Sequence, residues 1–493
     1  MKLRGADILA RALAAAGTRH VFTLSGNHVM PVFDAALDAK LSLIHVRHEA
    51  AAVHMADAWG RLTGTPGVAL VTGGPGHANA VSALYTALAA ESPLILISGH
   101  APLDELGKGA FQEMRQADIA APLAKASWTA QSTQGLAADV ARAWREASSG
   151  RPGPVHLSVP NDVLDAVTDE PRAPDFRAAP ESSEISREIL EALRAAKRPL
   201  ILAGPARMRN GARALEEATG IPVIGMESPR GVNDPSLGRL ADVLKQADVV
   251  LLLGKRADFT LKFGKAFADG CRVLSAAAFT ADARLCEGGW RDEVRSALGY
   301  RPPAWQEIQS RNHPVAVCRE VQRLLERPDA ILVSDGGEFG QWAQACLSAP
   351  RRVINGPAGS IGAALPFAAA AQLAYPQARV VAMLGDGTFG FHMSEIDTAV
   401  RYGLNYLAVI GNDAAWNAEY QIQLRAYGAA RAHGCELLPT RYGAVAAAMG
   451  AHGEDVPSFG ELPSALARAA AALENGRPAC VNVLIERVAA PKY

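Results

Sequence analysis

Two aspartates, Asp386 and Asp413, stand 413 − 386 = 27 positions apart in near-matching settings. The apolar run Val380 to Leu384 leads into Gly385-Asp386-Gly387, and Tyr406 to Ile410 leads into Gly411-Asn412-Asp413. Short apolar runs stopped by glycine read as buried strands, and the helical spacing from Met393 to Tyr402 joins them. The result is a βαβ unit with both acidic turns at the carboxyl ends of parallel strands, where ligands lodge. A hard cation such as magnesium takes oxygen ligands and shares them with phosphates. The two carboxylates and a backbone carbonyl just after Asp413 supply three such oxygens. Glycines such as Gly387 let the backbone approach a diphosphate, and a helix N-terminus after Thr388 favours the anion. One GDG turn alone is commonplace; a second acidic turn at the matching strand end points to a metal–diphosphate site.

Other stretches carry chemistry less directly. Glu49 follows strand Leu43 to Val46 and opens an alanine-rich helical stretch, so it is either a proton-handling acid or a helix-dipole partner. Thr72-Gly73-Gly74-Pro75-Gly76 ends strand Val68 to Val71, but its spacing is not the GxGxxG of a dinucleotide loop. His77, next in line, faces either a site or solvent. Asn355 to Gly362 is a glycine-rich turn before an alanine-rich helix. Asp335-Gly336-Gly337-Glu338 ends another strand.

Those residues need α/β scaffolds. Strands at Val21 to Leu24, Leu43-Ile44, Val68 to Val71, Leu94 to Ile97 and Val155 to Val159 alternate with helical patterns. A Pro- and acid-rich linker from Thr168 to Glu184 follows. Further strands lie at Leu200 to Ala203, Val249 to Leu253 and Val273 to Ala276, before a linker at Arg301-Pro302-Pro303. The fold class is α/β, with three doubly wound parallel-sheet domains at 1–180, 181–303 and 304–493. The first and third share one alternating pattern. After strand Val481 to Ile485 little chain follows, so no long C-terminal lid is expected.

Of the 493 residues, 49% are hydrophobic and 20% charged, ordinary for a globular protein. A net charge of −1 argues against nucleic acid or an anionic membrane as partner. No window approaches the ~20 apolar residues of a membrane helix. The N-terminal MKLRGADILARALAAAG is broken by Asp7 and Arg11, so it reads as a first amphipathic helix rather than a signal peptide. Six cysteines without a CxxC pair fit small core thiols in a reducing cytoplasm.

With GDG, the second acidic turn and three α/β domains, the chain resembles the thiamine-diphosphate (ThDP) enzymes, in the branch of acetolactate synthases, benzaldehyde lyase and pyruvate decarboxylase. The resemblance spans nearly the whole chain. It implies ThDP bound with Mg2+, the metal held by Asp386, Asp413 and the Ala415 carbonyl. The family usually has Asn where Asp413 stands. It implies that Glu49 hydrogen-bonds the aminopyrimidine ring, that the Gly359 carbonyl accepts its amino group, and that Ile361 wedges the cofactor into a bend. The GGPG turn then approaches the pyrimidine. His28, in Leu24-Ser25-Gly26-Asn27-His28, takes the place of the lyases' catalytic histidine. Gln112, in Ala110-Phe111-Gln112-Glu113, takes that of a glutamine reaching the active centre of acetolactate synthases. His77 and Trp416 join them as candidate substrate-lining residues. Trp416-Asn417-Ala418-Glu419 replaces the synthases' Gly-Met-Val run and is closer to the lyases. The implied activity is decarboxylating carboligation of a 2-oxo acid, with lyase action on 2-hydroxyketones or 2-hydroxyacyl-CoA as the alternative. The implied assembly is a homodimer or homotetramer with active sites between subunits. GKRADF is not a recognisable flavin loop, so FAD is not expected. A nicotinamide oxidoreductase lacks its fingerprint here, and a non-catalytic relative would have no need of Glu49, Ile361, Asp386 and Asp413 together.

Overall fold

The computed structural model describes residues 2–177, 186–209, 211–281, 283–308, 310 and 312–491. It divides into two compact units, one of residues 1–180 with 369–376 and 397–402, the other of the remainder. The expected boundary near 180 and the linker's residues 178–184 lie outside the described residues. The linker's start is corrected: Val167–Asp169 forms a strand antiparallel to Lys2–Arg4.

The first unit holds a six-stranded parallel sheet in the order Ser42–His45, His20–Thr23, Gly67–Val71, Leu94–His100, Pro154–Pro160, Ala126–Thr129. Its central strands are buried throughout and mostly apolar because helices cover both faces. Numbered by sequence within the sheet, the order is 2-1-3-4-6-5. The winding therefore reverses between His20–Thr23 and Gly67–Val71, and the loops beyond those two strands form the crevice. Gly26 lies in one loop and Thr72 in the other; a Cβ on Gly26 would stand 2.4 Å from the Thr72 Cβ.

The second unit carries two parallel sheets. Four strands run in the order Val223–Gly225, Pro199–Ala203, Val249–Leu253, Arg272–Ala276. Six run in the order Arg351–Ile354, Ile331–Ser334, Val380–Gly385, Leu407–Asn412, Ala479–Leu484, His452–Val456. The six-stranded sheet repeats the 2-1-3-4-6-5 order, so its crevice opens beyond Ser334 and Gly385, at the first acidic turn.

Between the two aspartates the structure differs from the single helix expected at Met393 to Tyr402. Asp386–His392 is one helix and Glu395–Tyr402 another. The first begins at Asp386 itself, whose carboxylate sits at the helix N-terminus. All six cysteines are free thiols, four of them buried. Among the described residues no helix is long and apolar enough to cross a membrane.

His77 corrects an expectation as well. It is fully buried, with Nδ1 2.8 Å from Ser98 Oγ and its ring 4.6 Å from that of His156. It is therefore an interior residue of the first unit rather than a solvated turn histidine. Burial pushes His77 down to about 4, and His156 is also pushed down, again mainly by burial. Unfolding returns both to about 6.5, so the unfolded chain takes up protons first. Stability is thus held above pH 6.5 and lost as pH falls towards 4, by on the order of 3 kcal/mol for His77. Scanning calorimetry from pH 7.5 to 5 should show the wild-type melting temperature falling relative to that of His77→Gln, the difference isolating this histidine from the carboxyls that titrate in the opposite sense.

Candidate active site

The turns expected to hold a metal lie in the second unit. Asp386 is buried, and its Oδ2 has no hydrogen-bond partner among the described residues. Burial raises its carboxyl to about 6; burial and then the Asp386 charge raise Asp413 to about 7. Two carboxyls pushed together out of water favour a proton or a cation between them. Among the described residues no cluster of three or more His, Cys, Asp or Glu side chains gathers, so the pair depends on other oxygens to complete a metal shell.

The second turn is held under tension. Ala414 has φ 52°, a left-handed conformation costing about 1–2 kcal/mol for a residue with a Cβ. Asn412 Oδ1 accepts the Ala414 N–H at 3.2 Å, and Arg487 donates to the Asp413 and Ala414 carbonyls at 3.2 and 3.0 Å. Trp416 follows, its ring so close to Gly387 that a Cβ there would meet it at 2.7 Å. Only glycine fits that position.

Beside it, Asp335 organises the glycine-rich turn. It is buried and pushed to about 6 by that burial. Its carboxylate accepts N–H groups from Gly336 at 2.7 Å, Gly362 at 2.9 Å and Ala364 at 3.1 Å. The turn holding Gly359 and Ile361 is thereby tied to the strand end, and a Cβ on Gly336 would meet Ile361 Cγ2 at 2.7 Å. Gly359, Ile361, Asp386, Gly387, Thr388, Asp413, Ala415 and Trp416 all line one cavity of about 220 Å³. Thr388 is anchored through Oγ1 to the Gly385 carbonyl at 2.9 Å.

The first unit gathers the other candidates. Glu49 is 8% exposed and is the first residue of helix Glu49–Thr63. Its Oε2 accepts a hydrogen bond from Asn79 Nδ2 at 3.0 Å, and a Cβ on Gly76 would lie 3.4 Å from Oε1. His28 is buried with Nδ1 3.0 Å from Thr72 Oγ1, and burial lowers its pKa. Its ring stacks on Phe111 at 6.1 Å. Gln112 rests on the GGPG turn, since a Cβ on Gly74 would meet its Cβ and carbonyl oxygen at 2.7 Å.

Three residues outside the sequence expectations build this arrangement. Glu113 accepts N–H groups from Gly107, Gly109 and Ala110 at 2.5, 3.1 and 3.1 Å, and these hold its carboxyl below the usual range. Buried Gln116 accepts the Gly74 N–H at 2.8 Å and donates to Gly99 O at 3.0 Å and Ser158 Oγ at 2.7 Å. The His100 ring faces the carbonyl oxygens of Ala101 at 3.1 Å and Met114 at 2.9 Å, closing the loop between them. Together they hold Gln112 at φ 58°, a strained value for a non-glycine residue. The sequence signal was present for Glu113, an acid after a run with two glycines. For Gln116 and Asn79 there was none.

Two clusters of candidate residues each lie at the switch point of a parallel sheet with the same strand order, the place where α/β proteins bind ligands. A family model described as thiamine pyrophosphate enzyme, N-terminal TPP binding domain, matches residues 3–119, and its C-terminal TPP binding domain counterpart matches 335–483. A probable acetolactate synthase from Mycobacterium bovis is 34% identical over 97% of this chain and 95% of its own. The 2-hydroxyacyl-CoA lyase 2 of Mus musculus is 31% identical over 98% and 90%, and the catabolic acetolactate synthase of Raoultella terrigena 30% over 98% and 95%. The chain belongs to the thiamine pyrophosphate enzyme family and is a ThDP-dependent enzyme.

Glu113→Ala releases three loop amides at the surface. Turnover should fall on the order of 100-fold through misplaced Gln112, with ThDP affinity unchanged. Steady-state kinetics beside a ThDP titration checks it.

Proposed function

We propose that the chain is an acetolactate-synthase-like carboligase that decarboxylates a 2-oxo acid with ThDP and Mg2+ and joins the remaining fragment to a second carbonyl compound. The observation that carries this reading is the Phe111-Gln112 loop seated on the GGPG turn beside His28. The 34% identity to a probable acetolactate synthase along nearly both whole chains supports it. The residues fit the cofactor: the orphaned Asp386 Oδ2 calls for a cation, and the glycine cradle admits a diphosphate. Asp386, Asp413 and the Ala415 carbonyl would hold the metal, while Gly387, Thr388, Gly359 and Ile361 would hold the cofactor. When bound, ThDP supplies a carbon nucleophile and an electron sink. Glu49, kept in place by Asn79, would hold the pyrimidine ring and supply a carboxyl able to take up and return a proton. His28 and Gln112 hydrogen-bond the substrate carbonyl or hydroxyl, and Trp416 forms part of the apolar floor.

A second reading, a lyase of 2-hydroxyketones or 2-hydroxyacyl thioesters, is favoured by Trp416 packed on Gly387 where the synthases carry Gly-Met-Val. The identity to 2-hydroxyacyl-CoA lyase 2 supports it too. ThDP-dependent release of carbon dioxide from pyruvate, set against cleavage of a benzoin-type ketone, separates the two. Turnover of the ketone alone would reverse their order.

The rest of the reading is a cytoplasmic enzyme without FAD, of domains 1–180, 181–303 and 304–493. Lys255 and Asp258 of the GKRADF stretch pair with each other at 2.6 Å, which supports an internal role for that loop. Two copies, as a homodimer or within a homotetramer, would each lend one half-site to a shared cofactor. Mixing Glu49→Gln with Asp386→Ala chains should then restore activity absent from either alone, because a mixed dimer contains one intact pair of half-sites. No rescue despite proven subunit exchange would refute the sharing.

A further inference from the structure

The lining of the 220 Å³ cavity is unbalanced in charge. It carries four carboxylates, Glu338, Asp386, Asp413 and Glu419, and among the described residues a single basic side chain, Arg230. A cavity that admits a diphosphate and a carboxylate substrate gathers still more negative charge. One divalent cation cannot offset it all.

Arg230 arrives from the segment after strand Val223–Gly225, in a turn fixed by its own N–H donating to Ser228 Oγ at 3.2 Å. Neighbouring Pro229 has its Cβ 3.7 Å from where a Cβ on Gly359 would lie, so the turn abuts the wall with the bend-forming residues. The guanidinium is partly buried, and its Nη1 is cut off from water without a hydrogen-bond partner among the described residues. Burial lowers its pKa, with Glu338 and Asp234 acting in the opposite sense and Arg425 reinforcing the fall. Neither acid is devoted to it. Glu338 Oε2 takes the Ala490 N–H at 2.8 Å, and Asp234 Oδ1 takes the Ser236 N–H at 2.8 Å. A desolvated cation short of partners is costly unless an anion completes it, and a guanidinium fork suits two oxygens of one oxyanion.

We infer that Arg230 is the anion-recognition residue of this cavity, taking an oxyanion of a bound ligand through its guanidinium. The oxyanion is a carboxylate of the 2-oxo acid or a phosphate oxygen of the cofactor. The carboxylate source rests on the proposed function; the phosphate source rests only on family membership.

Arg230→Met and Arg230→Lys decide it. Calorimetry with Mg2+ reads the affinity for ThDP and for inorganic pyrophosphate, and kinetics reads KM for pyruvate and for a neutral benzoin-type ketone. Arg230→Met should weaken at least one anion tenfold or more, the scale of a charge-assisted hydrogen bond, and Arg230→Lys should recover part of it. A raised pyruvate KM with ThDP affinity and ketone kinetics intact assigns the carboxylate. Weakened ThDP and pyrophosphate assign the phosphate. If wild-type enzyme turns over no 2-oxo acid, the proposed reaction fails and the two titrations alone decide on Arg230. Affinities and KM within twofold of wild type overturn the inference, as does an equal loss for the neutral ketone. Arg230→Gln replaces the methionine variant should that chain not fold.

Discussion

Asp386→Ala should abolish cofactor binding rather than merely slow turnover. Its carboxylate is buried, its Oδ2 meets no partner in the described structure, and a glycine stands on either side of it. In the proposed site the metal would link protein to phosphate, so losing a ligand would lose both together. Removing a residue that only hydrogen-bonds a metal ligand costs metal sites about 10–100-fold, so loss of Asp386, if it ligates the metal as proposed, should cost more than about 100-fold in ThDP affinity. Asp413→Asn makes the informative contrast, since it restores the residue usual in the family and removes the carboxyl that feels the Asp386 charge. It should keep ThDP binding. The pH sense follows from the same pair. With folded values of about 6 and 7, above the ordinary carboxyl range, the metal-free fold loses stability as pH rises from about 4 to 7. Protons compete for the same oxygens, so metal-dependent ThDP affinity should rise over pH 6 to 7. Calorimetric titrations of ThDP with and without Mg2+ check both statements.

Glu49→Gln should give the opposite split, with ThDP affinity near wild type and turnover down by 10²–10⁴. The amide can occupy the same space and still meet Asn79, whose Nδ2 stands 3.0 Å from Oε2. What it cannot do is take up and return a proton. A structural role for Glu49 as a helix-opening acid would behave differently, costing some stability through the helix dipole and little turnover. Melting temperature and kcat measured on one preparation distinguish the two. A chain with near wild-type kcat would remove Glu49 from the chemistry.

The parts legible in the sequence were those set by contiguous residues. Gly385-Asp386-Gly387 and Gly411-Asn412-Asp413 announce strand ends with carboxyl groups beside them because strand, turn and acid lie within a few positions. The central strands were equally plain, since burial on both faces makes runs such as Val249–Leu253 apolar throughout. The most polar edge strand was not. His452–Val456 reads HGEDV, and its polarity suits a sheet border rather than a core. The broken helix after Asp386 escaped because helical spacing from Met393 conceals a start seven residues earlier, where an acid meets a helix N-terminus. His77 escaped because a histidine after a GGPG turn carries no sign of the Ser98 and His156 that enclose it. Asn79 and Gln116 act through partners distant in sequence, so their roles became visible only in the folded chain. Asp335 falls between: its place at a strand end was evident, but the three backbone N–H groups it gathers were not.

The claim that the Asp386–Asp413 turns and the cavity beside them hold the cofactor is tested most directly by crystallography of the wild-type chain with ThDP and Mn2+, read through manganese anomalous scattering. The account predicts one strong peak per chain, within about 2.0–2.3 Å of carboxylate oxygens of Asp386 and Asp413 and of the Ala415 carbonyl, with diphosphate density beside Gly387. A peak elsewhere, or cofactor density outside that cavity, would contradict it.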